Sequence, residues 1–321
     1  MLGLDIGGTK LAAGVLTHDG KVHAFRSVPT RREEGPERVI RRLFDLGRRV
    51  LDDSGLDGEL AAVGISCGGP LDSAEGVLIA PFHLPGWRDV PIAALTSAEF
   101  GLPAKLHNDA TACALAEHRY GAGRGAESVL YLTISTGIGG GAVVGGRLMT
   151  GAAGNGGEFG HITVDTGGRP CRCGRRGCLE AHCSGSNIGA RADEALGDHP
   201  DSVLAQLGRA PTAADVARAA RAGDPLARAI WDETIILLGR GLTDLVNVFE
   251  PNVVVLGGGL TRSADLLLPG LRRILRTDPM PPAAKAVRLE VTPLGDANAV
   301  VGAGAIAQDL LTHRQENAHV R

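Results

Sequence analysis

The chain has 321 residues, 44% of them apolar, which suits two packed lobes, because single cores stop growing near ~250–300 residues, and excludes a disordered tail protein. Its 33 Lys and Arg against 36 Asp and Glu leave a formal net charge of −3, so there is no basic excess to neutralise a phosphate backbone and nucleic acid is not an expected partner. Glycine supplies 47 residues, about 15% against an average of ~7%, without the three-residue period of collagen and at the ends of apolar runs rather than in linkers.

In chain order, LGLDI (2–6) reads as a short apolar strand running into Gly7-Gly8-Thr9-Lys10, with further strands at 11–16 and 21–28 joined by the turn His18-Asp19-Gly20. An amphipathic helix is expected from about Glu33 to Asp53, with Val39, Ile40, Leu43, Leu46 and Val50 at 3–4 spacing and its arginines as a solvated face. LAAVGISC (60–67) is a buried strand ending in Gly68-Gly69-Pro70, and a helix over 92–100 leads to a strand at 104–106. Asn108-Asp109 opens the helix 110–120, with Asp109 as its N-cap. The glycine-rich stretch 121–127 places the lobe boundary nearby.

SVLYLTI (128–134), the glycines of 137–141 and AVV (142–144) repeat the strand, glycine turn, strand plan of the N-terminus. Asp224-Pro225 is an N-cap followed by proline at the first helical position, opening a helix that stops near Phe249. A strand over 252–259 ends in three glycines, and a strand at 287–292 and a helix at about 299–311 complete the chain, with a frayed tail after Thr312. No apolar run approaches the ~18–20 residues of a membrane span, and Asp5 and Lys10 interrupt any signal-peptide core, so a soluble, cytoplasmic protein without membrane partners is expected.

Three features carry chemistry. The two strand-turn-strand units each bring backbone amides and a hydroxyl (Thr9; Ser135 and Thr136) to one point, as a phosphate requires, and Gly257-Gly258-Gly259 adds a third strand end. A single such unit reads better as an ordinary tight hairpin; two of them together with the third strand end favour phosphate. Asp5 beside the first turn is placed to hold Mg2+ through water. No G-x-x-x-x-G-K-[ST] occurs, and the only Rossmann-like G-x-G-x-x-A, Gly302 to Ala307, lies too near the C-terminus for a βαβ unit. Second, Cys171-x-Cys173-x4-Cys178 offers three thiolates for a structural zinc, with His161, His182 or Cys183 as the fourth ligand. Third, Asn108, Asp109, Glu158, His161 and Glu180 supply the acceptors that recognition of several hydroxyls needs, and Asp109, at a helix start, is the best placed to remove a proton.

DIGGTK (5–10), HNDATACALAE (107–117), STGIGGG (135–141), GGEFGH (156–161) and CRCGRRGCLE (171–180) together resemble the ROK family of repressors and sugar kinases, most closely its bacterial ATP-dependent glucokinases, from residue 3 to about 310. The resemblance implies an α/β, actin-like, hexokinase-type fold of two ribonuclease H-like lobes with a cleft between them, here expected as 1–120 completed by 299–321, and 121–298 with the zinc loop. It implies Asp109 as the base for the 6-hydroxyl of a hexose. Gly69, Asn108, Glu158, His161 and Glu180 match sugar ligands, and His161 also matches the fourth zinc ligand beside Cys171, Cys173 and Cys178. Asp5, Gly7, Gly8, Thr9, Lys10, Thr136, Gly137, Gly257 and Gly258 match ATP contacts, and a homodimer or homotetramer is implied.

The chain departs from the family pattern at His107, Thr111 and His83, which bears on sugar choice. Glucose is the expected sugar, with N-acetylmannosamine, N-acetylglucosamine or another hexose as the alternative. A DNA-binding repressor is disfavoured because Asp5 stands at the fifth residue with no reader domain before it, and a non-catalytic sugar sensor is disfavoured by the intact Asp5, Thr9 and Asp109.

Overall fold

The computed structural model describes residues 1–56 and 58–319, the last seven of these as helix backbone only. The chain begins with β1 (Leu2–Ile6), β2 (Lys10–Leu16) and β3 (Val22–Pro29), a meander of antiparallel strands. Helix α1 (Pro36–Ser54) buries Val39, Leu43, Leu46, Val50 and Leu51 at the expected 3–4 spacing. It starts later than Glu33 because Gly35, at φ 83°, ends a short 3-10 turn over Arg32–Glu34, and Pro36 at the first helical position restarts the chain. Then come β4 (Val63–Cys67), the small hairpin β5 (Leu71–Asp72) and β6 (Val77–Leu78), α2 (Ile92–Phe100), β7 (Ala104–Asn108) and α3 (Asp109–Tyr120). The first sheet has the order β3-β2-β1-β4-β7, with β1, β4 and β7 parallel.

The second half repeats the plan. Strands β8 (Val129–Ile134), β9 (Ile138–Val144) and β10 (Arg147–Leu148) are followed by helices α4 (Leu179–Cys183), α5 (Gly185–Ala195), α6 (Ala213–Ala222) and α7 (Pro225–Phe249). As the sequence predicts, the Asp224 side chain accepts from the Ala227 amide at 2.9 Å and Pro225 opens α7. Strand β11 (Val253–Gly257), helices α8 (Ala264–Thr277) and α9 (Pro281–Ala286), strand β12 (Arg288–Val291) and helix α10 (Asn298–His319) finish the chain. Helix α10 runs on to His319 instead of ending near Leu311. The second sheet has the order β10-β9-β8-β11-β12, the first sheet's order with each strand replaced by its counterpart.

The chain divides into two compact units, one of 1–125, 141–157 and 292–321 and the other of 126–140 and 158–291. The segment 141–157, expected in the second lobe, groups with the first because Gly141 lies against α3: a Cβ there would stand 2.7 Å from the carbonyl oxygen of Ala110. Asn155 of the same segment bonds the Leu71 backbone twice, accepting from its amide at 3.3 Å and donating to its carbonyl at 2.8 Å.

Within the first unit α10 lies almost backbone to backbone on the sheet. A Cβ on Gly3 would come 2.3 Å from the Val300 oxygen, and one on Gly64 1.7 Å from the Ala303 oxygen. The Rossmann-like glycine at 302 is part of this packing, set against the Ala112 backbone of α3. Among the described residues no helix is long and apolar enough to cross a membrane.

Candidate active site

In the first unit the parallel register aligns Asp5 with Ser66 and Ser66 with His107, then Ile6 with Cys67 and Cys67 with Asn108. The carboxyl ends of β1, β4 and β7 therefore bring the Asp5–Lys10 turn, Gly68-Gly69 and Asn108-Asp109 side by side, at the edge where open α/β sheets take ligands. The first turn is tight: the Gly7 amide donates to the Lys10 carbonyl at 3.0 Å, and a Cβ on Gly7 would stand 2.8 Å from that oxygen. Thr9 and Lys10 are exposed at its tip.

Asp5 is buried and accepts from the Ser66 hydroxyl at 2.7 Å. Burial pushes its carboxyl up to about 7 from an ordinary 3.8; Ser66 opposes the rise, the Asp109 carboxylate adds to it and Lys10 opposes it. A buried acid held by a neutral hydroxyl at a strand end suits a nearby cation that would favour its charged form.

The helix cap differs from the sequence expectation. Asn108, in extended conformation (φ −58°, ψ 141°), is the N-cap of α3, and its Oδ1 accepts from the Ala110 and Thr111 amides at 3.0 and 3.2 Å. Asp109 is the first helical residue, its Oδ1 2.8 Å from the Ala110 amide. A carboxylate in the first turn still gains from the positive end of the helix. A Cβ on Gly69 would meet Asn155 Oδ1 at 3.3 Å and Asn108 Nδ2 at 3.9 Å, so Gly69 stands beside Asn108. His83 packs over Gly8 and Gly68, its imidazole 3.4 Å from the Ile6 carbonyl oxygen and 3.8 Å from Cys67 Sγ. Burial holds its pKa below the ordinary histidine range, with Asp109 acting against that shift. His107 lies on the opposite pleat of β7 from Asn108, where burial pushes its pKa down to about 4 and keeps it neutral.

In the second unit β8 and β11 run parallel, pairing Leu132 with Leu256 and Thr133 with Gly257, so the turns after these strands are neighbours. Gly258 (φ 84°) lies against Ile134, where a Cβ would stand 2.4 Å from the carbonyl oxygen, and its own carbonyl accepts from the Thr261 hydroxyl at 2.7 Å. The Ser135-Thr136-Gly137 turn closes with the Ser135 amide donating to the Gly137 carbonyl at 2.9 Å. Glu180 reaches back to this turn: its Oε2 accepts from the Ile138 amide at 2.8 Å, and a Cβ on Gly137 would stand 2.5 Å from the same oxygen.

The cysteine loop and His161 converge. One ligand atom from each of His161, Cys171, Cys173 and Cys178 lies within 4.8 Å of the others. His161 Nδ1 is 3.6 Å from Cys171 Sγ, and Cys173 Sγ is 3.7 Å from Cys178 Sγ. A tetrahedron with zinc–sulfur bonds of about 2.3 Å has edges of about 3.8 Å, so the donor set fits that metal in kind and spacing. The other two candidates are engaged elsewhere: buried His182 accepts from the Arg169 amide at 3.4 Å and faces Asp165, and buried Cys183 lies 3.7 Å from the Thr234 carbonyl oxygen. Burial pushes the Cys178 thiol up to about 12, so a metal taking it as thiolate displaces a proton.

The cluster also organises polar residues around it. His161 Nε2, the ring nitrogen away from the cysteines, is 3.9 Å from Glu158 Oε2. Arg175 donates to the His161 carbonyl at 3.0 Å and to the Thr163 hydroxyl at 2.7 Å. Cys178 is the N-cap residue of α4, whose first turn carries Glu180. Sequence reasoning missed Ser66 and Asn155. The unbroken buried strand around Ser66 marks it as a buried polar residue, whereas nothing local marks Asn155.

Two α/β repeats, each with glycine turns at the carboxyl ends of its parallel strands, define the actin-like, hexokinase-type fold. The chain belongs to the ROK family, whose sequence profile matches residues 1–310. It is 35% identical over 313 residues to a glucokinase of Thermotoga maritima, covering 96% of this chain and 97% of the relative. It is 32% identical over 260 residues to an N-acetylmannosamine kinase of Escherichia fergusonii, covering 81% and 82%. Among solved structures, a ROK hexokinase from Thermus thermophilus is 39% identical with a TM-score of 0.81, covering 98% of this chain and 99% of that one. A Streptomyces griseus ROK glucokinase in complex with glucose and AMPPNP is 31% identical with a TM-score of 0.79, covering 96% and 99%.

Proposed function

We propose that the protein is a sugar kinase that transfers the γ-phosphoryl group of ATP to the 6-hydroxyl of a hexose, with glucose the preferred acceptor. The observation that carries this reading is the set of neighbours at the carboxyl ends of β1, β4 and β7: a phosphate-type glycine turn, the buried Asp5, and Asn108-Asp109 at the start of α3. Asp109 accepts the proton of the attacking hydroxyl, and the helix start stabilises the carboxylate before that transfer and fixes its direction. Asn108 Nδ2 remains available to a sugar oxygen because its Oδ1 is committed to the cap.

In the first unit the Gly7-Gly8 turn, with Thr9 and Lys10, offers donors for ATP phosphate, and in the second the turns at Thr136-Gly137 and Gly257-Gly258 are the proposed nucleotide contacts. Asp5 would hold magnesium, which when bound would supply charge neutralisation of the phosphates. Glu158, His161 and Glu180 present acceptors and an imidazole to the remaining hydroxyls. His161, Cys171, Cys173 and Cys178 would hold a structural zinc, which would orient His161 and anchor the first turn of α4 that carries Glu180. Support comes from the glucokinase relatives, which span nearly the whole chain.

The second reading, an N-acetylhexosamine kinase, draws on the N-acetylmannosamine kinase relative. A panel of glucose, mannose, N-acetylglucosamine and N-acetylmannosamine with Mg-ATP separates them by kcat/KM. The proposal expects glucose to lead. A leading N-acetyl sugar favours the second reading, and no sugar-dependent ADP release with any of them overturns kinase activity.

A further inference from the structure

The arginines of α1 have a solvated-face reading in the sequence, yet the fold turns one side of them into the wall of a cavity. Arg31, Arg38, Arg41, Arg42 and Arg49 line a space of about 490 Å³ between α1 and the edge strand β3, with Glu34 and Asp45 the only acidic residues in its lining. At 100° per residue, positions 38, 41, 42, 45 and 49 fall within a stripe about 100° wide, so they face one way. The two acids are already engaged. Glu34 pairs with Arg42 and lies 3.7 Å from Arg31, and Asp45 pairs with Arg48 at 2.9 Å. Among the described residues Arg38, Arg41 and Arg49 have no carboxylate within salt-bridge distance, and Arg38 acts on Glu34 only from farther away.

This placement works against the helix. Arg38 stands in the first turn of α1, where the helix end is positive and cations are disfavoured, and it meets the like charges of Arg41 and Arg42 at three- and four-residue spacing. In a protein whose formal net charge is −3, such a concentration of unpaired guanidinium groups around a concavity has the form of an anion site. Planar guanidinium groups match phosphate oxygens two at a time, and three unpaired charges call for a ligand carrying about three negative charges.

We infer that this cavity binds a small anion with two or more phosphate groups, at a site in the first unit separate from the glycine turns. Arg42 is its inner wall and also braces the chain behind it. It donates to the Thr30 carbonyl at 2.7 Å, while buried Thr30 donates through its hydroxyl to the Gly7 carbonyl at 2.6 Å and through its amide to the Thr9 carbonyl at 3.0 Å. The test therefore leaves Arg42 in place.

Inorganic pyrophosphate is titrated calorimetrically into the wild-type chain and into R38Q/R41Q/R49Q, without magnesium, at about 50 mM and about 200 mM salt. Pyrophosphate bound at the glycine turns is common to both proteins and cancels in the difference, so failure here leaves the kinase reading standing, and the reverse. The wild type is expected to bind about one equivalent more than the variant, with that extra site weakening about tenfold or more at the higher salt. Thermal unfolding of the variant is expected at or above the wild-type midpoint, since repulsion has been removed. Should the triple variant fold poorly, Arg49→Gln alone, on an exposed position late in α1, is expected to weaken the extra site by about fivefold. Superimposable isotherms for wild type and variant, or an extra site indifferent to salt, overturn the inference. So does tighter binding of a short DNA duplex or of citrate than of pyrophosphate at the same residues, which would assign the cavity to another class of anion.

Discussion

The role proposed for Asp5 sets stability against activity, and the conflict can be measured. Its carboxyl sits at about 7 in the fold against 3.8 in an open chain. A group whose pKa rises on folding contributes stability that is complete below the unfolded value and is lost as the pH climbs through the folded one. The gap between 3.8 and about 7, at about 1.4 kcal/mol per pH unit, amounts to about 4 kcal/mol, lost progressively from pH ~4 to pH ~7 and constant above that. Asp5→Asn keeps an acceptor for the Ser66 hydroxyl and removes the titration. In urea unfolding without magnesium or nucleotide, the variant should match the wild type near pH 4. It should gain on it by about 1.4 kcal/mol for each pH unit up to pH ~7 and hold its advantage above, while losing phosphoryl transfer. A stability difference that stays constant between pH ~5 and pH ~8 would refute the reasoning.

Gly64→Ala places a methyl group where the Ala303 carbonyl oxygen of α10 already lies, 1.7 Å away, and is expected to cost about 3 kcal/mol or more in the same urea assay; a loss below about 0.5 kcal/mol would mean that α10 is not seated so closely. Elemental analysis is expected to find about one zinc per chain, falling to none in Cys178→Ser, and fully active protein without zinc would remove the metal from the account.

Features whose physics is local could be read from the sequence. The glycine turns, the cysteine loop with its two-residue and five-residue steps, and the Asp224-Pro225 helix start each depend on neighbours in the chain. The Asn108-Asp109 pair shows where local reading fails: both residues suit an N-cap, and only the backbone, extended at 108 and helical at 109, decides between them. The start of α1 moved for a similar reason, because hydrophobic spacing outlines the buried face while Gly35 and Pro36 set the boundary.

Long-range pairings were out of reach. Gly3, Gly64 and Gly302 let α10 lie against β1, β4 and α3, a use of glycine unrelated to phosphate and invisible until partners distant in sequence are placed. Segment 141–157 groups with the first unit through Gly141 and Asn155 contacts that no pattern announces. The choice among His161, His182 and Cys183 is spatial too, since their separations from the cysteine loop are all short in sequence.

The central claim is that Asp109 is the base of a phosphoryl transfer to sugar. Steady-state ADP release by Asp109→Asn, at saturating Mg-ATP and varied glucose, tests it most directly. The account predicts kcat lower by about a thousandfold with KM for glucose close to wild type, because the amide keeps the shape and loses the proton acceptor. Turnover near the wild-type value would contradict it.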